Sequence, residues 1–161
     1  MRKVLVFESK KCIGCRSCEQ ICTMTHIGVT NPEKARIRII RDHELQMDIG
    51  VYCHQCGDAP CVQACKFDAL ARDPKTHAIQ VKEENCVACR ACIEECPFAA
   101  PSMHPSGEHV LICDLCGGEP QCVEICPEHA IQYVGIDKTD NIHKSQYVKK
   151  MSQTFKEANK S

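Results

Sequence analysis

The chain has 161 residues, a formal net charge of −1, sixteen cysteines and no tryptophan. Its basic residues form no stripe with interleaved aromatics, which excludes the usual pattern of a nucleic-acid-binding protein. No apolar run reaches the length of a membrane span, and the run at residues 4–7 is too short for a signal-peptide core. The sequence therefore predicts a soluble, cytoplasmic protein with no membrane span.

The first predicted elements are a strand at residues 3–7 and a loop that continues into a short helix at residues 12–22. The loop carries group one, whose cysteines have the spacing C-x2-C-x2-C-x3-C. This spacing holds a cubane iron–sulfur cluster in bacterial ferredoxins, where the fourth cysteine of a run ligates the other cluster. Group one consists of Cys12, Cys15, Cys18 and Cys22.

A connector at residues 26–50 leads to the second group, and alternating apolar residues at 36–40 predict a strand within it. Group two has two extra residues between its second and third cysteines, and a predicted hairpin at residues 69–81 follows it. Group three repeats the spacing of group one. Group two consists of Cys53, Cys56, Cys61 and Cys65, and group three of Cys86, Cys89, Cys92 and Cys96.

A second connector, at residues 103–107, precedes group four, whose loop is three residues wider than that of group one. A strand predicted at residues 130–134 is expected to pair with residues 3–7. The tail at residues 137–161 predicts a helix with one apolar face, which would dock on its own domain or on a partner subunit; disorder is the third alternative. Group four consists of Cys113, Cys116, Cys122 and Cys126.

No cysteine is left over, so the sequence predicts four 4Fe-4S clusters. Groups two and three are adjacent and should exchange their fourth cysteines, which leaves groups one and four to do the same. The rival pairing joins group one with group two and group three with group four. The expected contact between the terminal strands instead favours the exchange between groups one and four. The four predicted ligand sets are Cys12, Cys15, Cys18, Cys126; Cys22, Cys113, Cys116, Cys122; Cys53, Cys56, Cys61, Cys96; and Cys65, Cys86, Cys89, Cys92.

The predicted fold class is α+β, built from two bacterial-type two-cluster ferredoxin modules with short helices and small antiparallel hairpins. One module is inserted in the other: the outer module takes residues 1–50 and 105–136, and the inserted module takes residues 51–104. Large apolar side chains are scarce, so the clusters are expected to act as cores, and their loss is expected to unfold much of the chain.

The chain resembles the four-cluster ferredoxin-like electron-transfer subunits of molybdopterin and tungstopterin oxidoreductases, a module also used with hydrogenases and carbon monoxide dehydrogenase. The resemblance covers residues 3–135. It rests on the four cysteine groups, on Cys-His-Gln-Cys at 53–56 and on Cys-Asp-Leu-Cys-Gly-Gly at 113–118. It implies the nested exchange of fourth cysteines and a hetero-oligomer with a catalytic oxidoreductase subunit and a second electron donor or acceptor.

The expected function is therefore relay of single electrons by a non-catalytic subunit, between a tungsten or molybdenum pterin enzyme and another redox subunit or soluble carrier. Service to a hydrogenase or carbon monoxide dehydrogenase system is the alternative. The sequence has no G-x-G-x-x-G or phosphate loop, so no nicotinamide or flavin site is indicated. Other classes are a zinc-binding structural or interaction module, in which such closely spaced cysteines would be crowded, a disulfide scaffold, and an iron–sulfur sensor.

Among the histidines, His54 lies between two cysteines of group two. It is a candidate hydrogen-bond donor to cluster sulfur, with a simple polar loop position as the alternative. Four basic residues adjoin cysteines, where they would offset cluster charge, meet a partner or be solvated: Lys11, Arg16, Lys66 and Arg90.

Overall fold

Eight short strands in residues 2–137, the part of the chain that this computed structural model describes, pair as four two-stranded antiparallel sheets. The predicted tail helix lies outside the described residues, apart from Asp137. The strands are β1 (Lys3–Phe7), β2 (Ile37–Asp42), β3 (Met47–Tyr52), β4 (Leu70–Arg72), β5 (Ile79–Val81), β6 (Ser102–Met103), β7 (Val110–Leu111) and β8 (Ile131–Gly135).

The sheet of β1 and β8 joins the two ends of the described chain. Lys3 pairs with Gly135 and Phe7 pairs with Ile131, which confirms the predicted contact between the terminal strands. Leu5 and Ile131 are buried. The apolar side chains of both strands therefore contribute to the core, and the pairing places group one next to group four.

The hairpin of β2 and β3 lies within the predicted first connector. Ile37 and Ile39 are buried, as the alternation at residues 36–40 predicts. The strand β3 was not predicted, because a buried acid, Asp48, and a glycine interrupt its apolar pattern. Gly50 belongs there because a Cβ at this position would lie 2.9 Å from the ring of Phe7.

Within residues 2–137, four α-helices each carry cysteines. The first is longer than predicted because Thr23, rather than a proline, follows the last cysteine of group one; the Thr23 hydroxyl donates to the carbonyl of Gln20 at 2.9 Å. The first helix packs against the fourth, and the second packs against the third. The helices are α1 (Ser17–Ile27), α2 (Pro60–Gln63), α3 (Ala91–Glu94) and α4 (Gln121–Glu124).

The core consists of aliphatic side chains mixed with cysteines. Ile79, Ile112 and Leu115 have at most 1 % of their surface exposed. Seven cysteines are buried with them: Cys18, Cys22, Cys53, Cys61, Cys92, Cys113 and Cys122. The interior of the described chain is therefore organised around thiols. No helix in this part of the chain has the length and apolar character that crossing a bilayer requires.

Candidate iron–sulfur sites

Three cavities are each lined by four cysteines, three from one group and one from another. Aliphatic or aromatic side chains form much of the remaining wall of each cavity. Site I is lined by Cys12, Cys15, Cys18 and Cys126; site III by Cys53, Cys56, Cys61 and Cys96; and site IV by Cys65, Cys86, Cys89 and Cys92.

Site II comprises the remaining cysteines, which are neighbours in the interior: Cys22, Cys113, Cys116 and Cys122. Burial raises the pKa of Cys113 well above its ordinary value, and the thiols of Cys122, Cys53 and Cys22 raise it further. Burial raises the pKa of Cys122 to about 12, and the neighbouring thiols of Cys116 and Cys22 contribute to this increase. The four groupings coincide with the predicted ligand sets, whose occupancy by clusters stays a prediction.

Local backbone geometry turns the thiols of one group toward a common cavity. Arg16 and Arg90, which follow the second cysteine of groups one and three, both have left-handed backbone conformations, with φ of 58° and 67°. The helices α1 and α3 begin at the next residue. The third cysteine therefore lies in the first turn of a helix, while the first two lie in the preceding loop.

The donor chemistry of the sites fits iron–sulfur clusters. Burial raises the pKa of Cys18 and Cys53 to about 12, so without a metal these thiols stay protonated at neutral pH. Thiolates are the metal-binding form, and cluster binding would release their protons. Backbone N–H groups donate to the sulfurs of Cys22 at 3.3 Å, Cys126 at 3.3 Å and Cys96 at 3.5 Å, an interaction that tunes cluster potentials.

A polar network at site II joins segments that are remote in sequence. Asp114 accepts from the Arg36 guanidinium at 2.6 Å and from the Cys116 N–H at 2.9 Å, and it pairs with His26 Nε2 at 3.0 Å. The hydrogen bond with Asp114 raises the pKa of His26 to about 10. Although burial opposes ionisation, His26 and Arg36 hold the pKa of Asp114 well below its usual value. Sequence reasoning missed this network because its members are up to 88 residues apart.

Gln55 connects sites II and III. Its side chain is almost wholly buried; its Nε2 donates to the Cys113 carbonyl at 2.7 Å, and its Oε1 accepts from the Ile79 N–H at 2.8 Å. The ring of His54 stacks between Tyr52 and Phe98, with centroid distances of 4.8 and 4.0 Å. The His54 ring therefore packs between aromatic rings, and its bond to cluster sulfur stays a prediction.

The chain is similar to known iron–sulfur and electron-transport proteins. Residues 44–136 match the family described as the 4Fe-4S dicluster domain. An aliphatic sulfonate oxidoreductase, polyferredoxin-like subunit, from Pyrococcus furiosus is 49 % identical over 73 % of this chain and 68 % of its own length. A putative electron transport protein, YsaA, of Escherichia coli is 36 % identical over 86 % of this chain and 93 % of its own.

A solved structure shares the fold. The matching chain in the active-site complex BamBC of benzoyl coenzyme A reductase, in complex with zinc, has a TM-score of 0.50 and 21 % identity, with coverage of 96 % of this chain and 97 % of that one. At this level of identity the likeness concerns the fold alone. On the family match and the two relatives, the chain belongs to the family of the 4Fe-4S dicluster domain.

Proposed function

We propose that this chain is a non-catalytic electron-transfer subunit that relays single electrons through four 4Fe-4S clusters held at sites I to IV. The observation that carries the proposal is the convergence of cysteines from remote groups, such as Cys126 with Cys12 and Cys96 with Cys53. Each cluster would supply a one-electron couple. The chain's own residues set the spacing, exclude water with apolar walls and donate backbone N–H groups to sulfur.

The same contacts support the nested pairing. Strand β1 pairs with β8, and helix α1 packs against α4, so groups one and four lie together. Helix α2 packs against α3, so groups two and three lie together. We infer an outer module of residues 1–50 and 105–136 around an inserted module of residues 51–104.

The neighbours of the buried thiols support a linear order of the sites. Cys122 of site II lies near Cys18 of site I. Cys113 of site II lies near Cys53 of site III, and Cys92 of site IV lies near Cys61 of site III. We therefore propose the path I–II–III–IV, in which sites I and IV exchange electrons with other proteins.

The partner is proposed from the relatives and from the surface of the end sites. One relative is a polyferredoxin-like subunit of an aliphatic sulfonate oxidoreductase. We propose a catalytic oxidoreductase subunit, of the tungsten or molybdenum pterin type, at one end and a second redox subunit or carrier at the other. Exposed aliphatic residues at the end sites, Ile13 and Val87, offer contact surfaces. The tail at residues 137–161 is proposed as a further docking element.

The test is metal analysis and reductive titration of the full chain prepared without oxygen. Four clusters predict about 16 iron and 16 acid-labile sulfides per chain and uptake of about four electrons. Colourless protein that binds zinc would refute the proposal. Isolation of the chain from its native cell with the bound large subunit would separate a pterin enzyme from a hydrogenase or carbon monoxide dehydrogenase system.

A further inference from the structure

Groups one and three have the same cysteine spacing but differ at the residue that follows the third cysteine. In groups two, three and four this residue is aliphatic, and it packs against the buried core: Val62, Ile93 and Val123. In group one it is Glu19, which is only 3 % exposed. A carboxylate therefore occupies, beside site I, a position that holds an apolar side chain at the other groups.

The contacts of Glu19 aim its carboxylate into the interior. Its Oε1 accepts from the Ile39 N–H of β2 at 2.6 Å. Within residues 2–137, no lysine, arginine or histidine forms an ion pair with it. Glu19 directly follows Cys18, which lines site I, and Ile39, whose N–H it accepts from, lines the same cavity. The carboxylate is therefore held beside site I.

A second buried acid approaches site I from strand β3. Asp48 is 6 % exposed, and its Oδ2 pairs at 2.7 Å with Arg41, whose side chain is 46 % exposed. A Cβ on Gly14 would lie 2.9 Å from Asp48 Oδ2, whereas the equivalent residue of group three is Ala88. Both of these loop positions have positive φ, so the glycine is explained by the space that Asp48 occupies rather than by backbone conformation alone.

Site IV differs in the residues that surround it. Among the described residues, those that line site IV include no acid, and Ile93 follows its third cysteine. Reduction of a cluster adds one negative charge to its site, and a buried carboxylate nearby opposes that addition because screening by water is weak there.

We propose that Glu19 and Asp48 tune site I, so that it has a lower reduction potential than site IV despite the same ligand spacing. The inference rests on the proposed function, in which each site takes one electron from a one-electron donor. Neither acid is a cluster ligand, and both would change the reduction potential of site I through their charge beside its cysteine ligands.

The test is a redox titration of the full chain without oxygen, with dithionite as reductant, followed by electron paramagnetic resonance. The signal of site I is assigned with the variant Cys15→Ser. In Glu19→Gln, which keeps an oxygen to accept from Ile39, the reduced-to-oxidised ratio of site I at a fixed potential should rise about tenfold, or about 59 mV. Site IV should not change. Asp48→Asn should also raise the reduced-to-oxidised ratio of site I. If Glu19→Gln fails to bind iron, the same measurement on Asp48→Asn tests the inference.

A matched control is Glu128→Gln, which removes an exposed carboxylate at the wall of site I, whereas Glu19 and Asp48 are buried beside the site. Because solvent screens this charge, the reduced-to-oxidised ratio of site I should change by less than about twofold in this variant. An unchanged ratio in loaded Glu19→Gln and Asp48→Asn, or equal shifts at sites I and IV, would overturn the inference and leave the proposed function intact. Wild-type protein without four clusters would instead refute the proposed function.

Discussion

In the proposed path, sites II and III are the middle sites and sites I and IV are the end sites. Each middle site takes three cysteines from a widened loop, that of group four or group two, whereas each end site takes three from the compact loop of group one or group three. In the middle sites the residue before the second cysteine is buried: Gln55 is 1 % exposed and Leu115 is 0 % exposed. At the end sites the second cysteines, Cys15 and Cys89, are exposed. The widened loops therefore accompany a buried residue before the second cysteine, and the compact loops accompany a second cysteine that a partner could reach.

The difference extends to what holds each kind of site. The middle sites depend on polar contacts between remote segments, namely His26 with Asp114 and Gln55 with Cys113. The end sites present aliphatic side chains to solvent, with Ile13 63 % and Val87 55 % exposed. We expect substitutions at the first kind of residue to affect stability, and substitutions at the second kind to affect exchange with partners.

The largest effect is expected from the fourth cysteine of group three. Because Cys96 lines site III, Cys96→Ser should abolish that middle cluster and spare the end site formed by Cys86, Cys89 and Cys92. The matched variant Cys65→Ser should abolish the end cluster instead. Iron content should fall by about four per chain in each, and electron paramagnetic resonance should identify the lost cluster. Loss confined to site IV in Cys96→Ser would refute the exchange of ligands.

The next effect is expected at Asp114, whose partly buried carboxylate pairs with His26 and Arg36. Asp114→Asn should destabilise the middle of the chain by about 2–3 kcal/mol, because a charged hydrogen-bond acceptor is lost. Cluster loss in urea, followed by absorbance, should accelerate by about 30- to 160-fold if site II must open first. Glu83→Gln, at a longer and more exposed pair with His109, is the control and should change the rate little.

The effect of Asp114→Asn should also depend on pH. The pKa of His26 is raised in the folded chain, to about 10, by its hydrogen bond with Asp114. The resulting stabilisation is fully present below the unfolded value of about 6.5 and is lost as pH rises through about 10. The difference between wild type and Asp114→Asn should therefore shrink between pH 7 and pH 10. A difference that is constant over this range would contradict the charged pair.

A smaller loss is expected at Gln55. Gln55→Met keeps the length of the side chain but leaves the Cys113 carbonyl and the Ile79 N–H without their partner, at a cost of about 1–3 kcal/mol. The same assay of cluster loss measures it. The control Gln63→Met removes an exposed amide and should have little effect. Equal rates for the two variants would show that the buried bridge contributes nothing.

The smallest effect on stability is expected at the end sites. Ile13→Ser and Val87→Ser change exposed side chains, so unfolding should shift by less than about 0.5 kcal/mol. The rate of electron exchange with the catalytic subunit should fall in the variant whose end faces it. Rapid mixing of reduced catalytic subunit with each variant measures this rate. If neither variant slows exchange while both lose iron, these residues are structural.

Short sequence patterns predicted the elements whose contacts lie close together in the chain. The cysteine spacing, the strand at residues 36–40 and the hairpin around Asp73 follow from short stretches of sequence. The pairing of β1 with β8 was predicted from the layout of a ferredoxin, in which the two terminal strands pair. Strand β3 was missed because the burial of Asp48 depends on its contacts with Gly14 and Arg41, which the local sequence does not show. The hydrogen bond of Gln55 was missed because its acceptor, the Cys113 carbonyl, is 58 residues away.

The antiparallel pairing of β1 with β8 also constrains the order of events during synthesis on the ribosome. The β4–β5 hairpin closes over a few residues, whereas Lys3 cannot meet Gly135 until nearly all of the described chain has been translated. Contacts between distant residues form late because the intervening chain must first be ordered. Group one is the first of the four groups to be synthesised, but Cys126 and strand β8, which complete its surroundings, are synthesised late. We expect its thiols to be accessible to assembly factors, and to oxidants, until Cys126 and strand β8 have been synthesised.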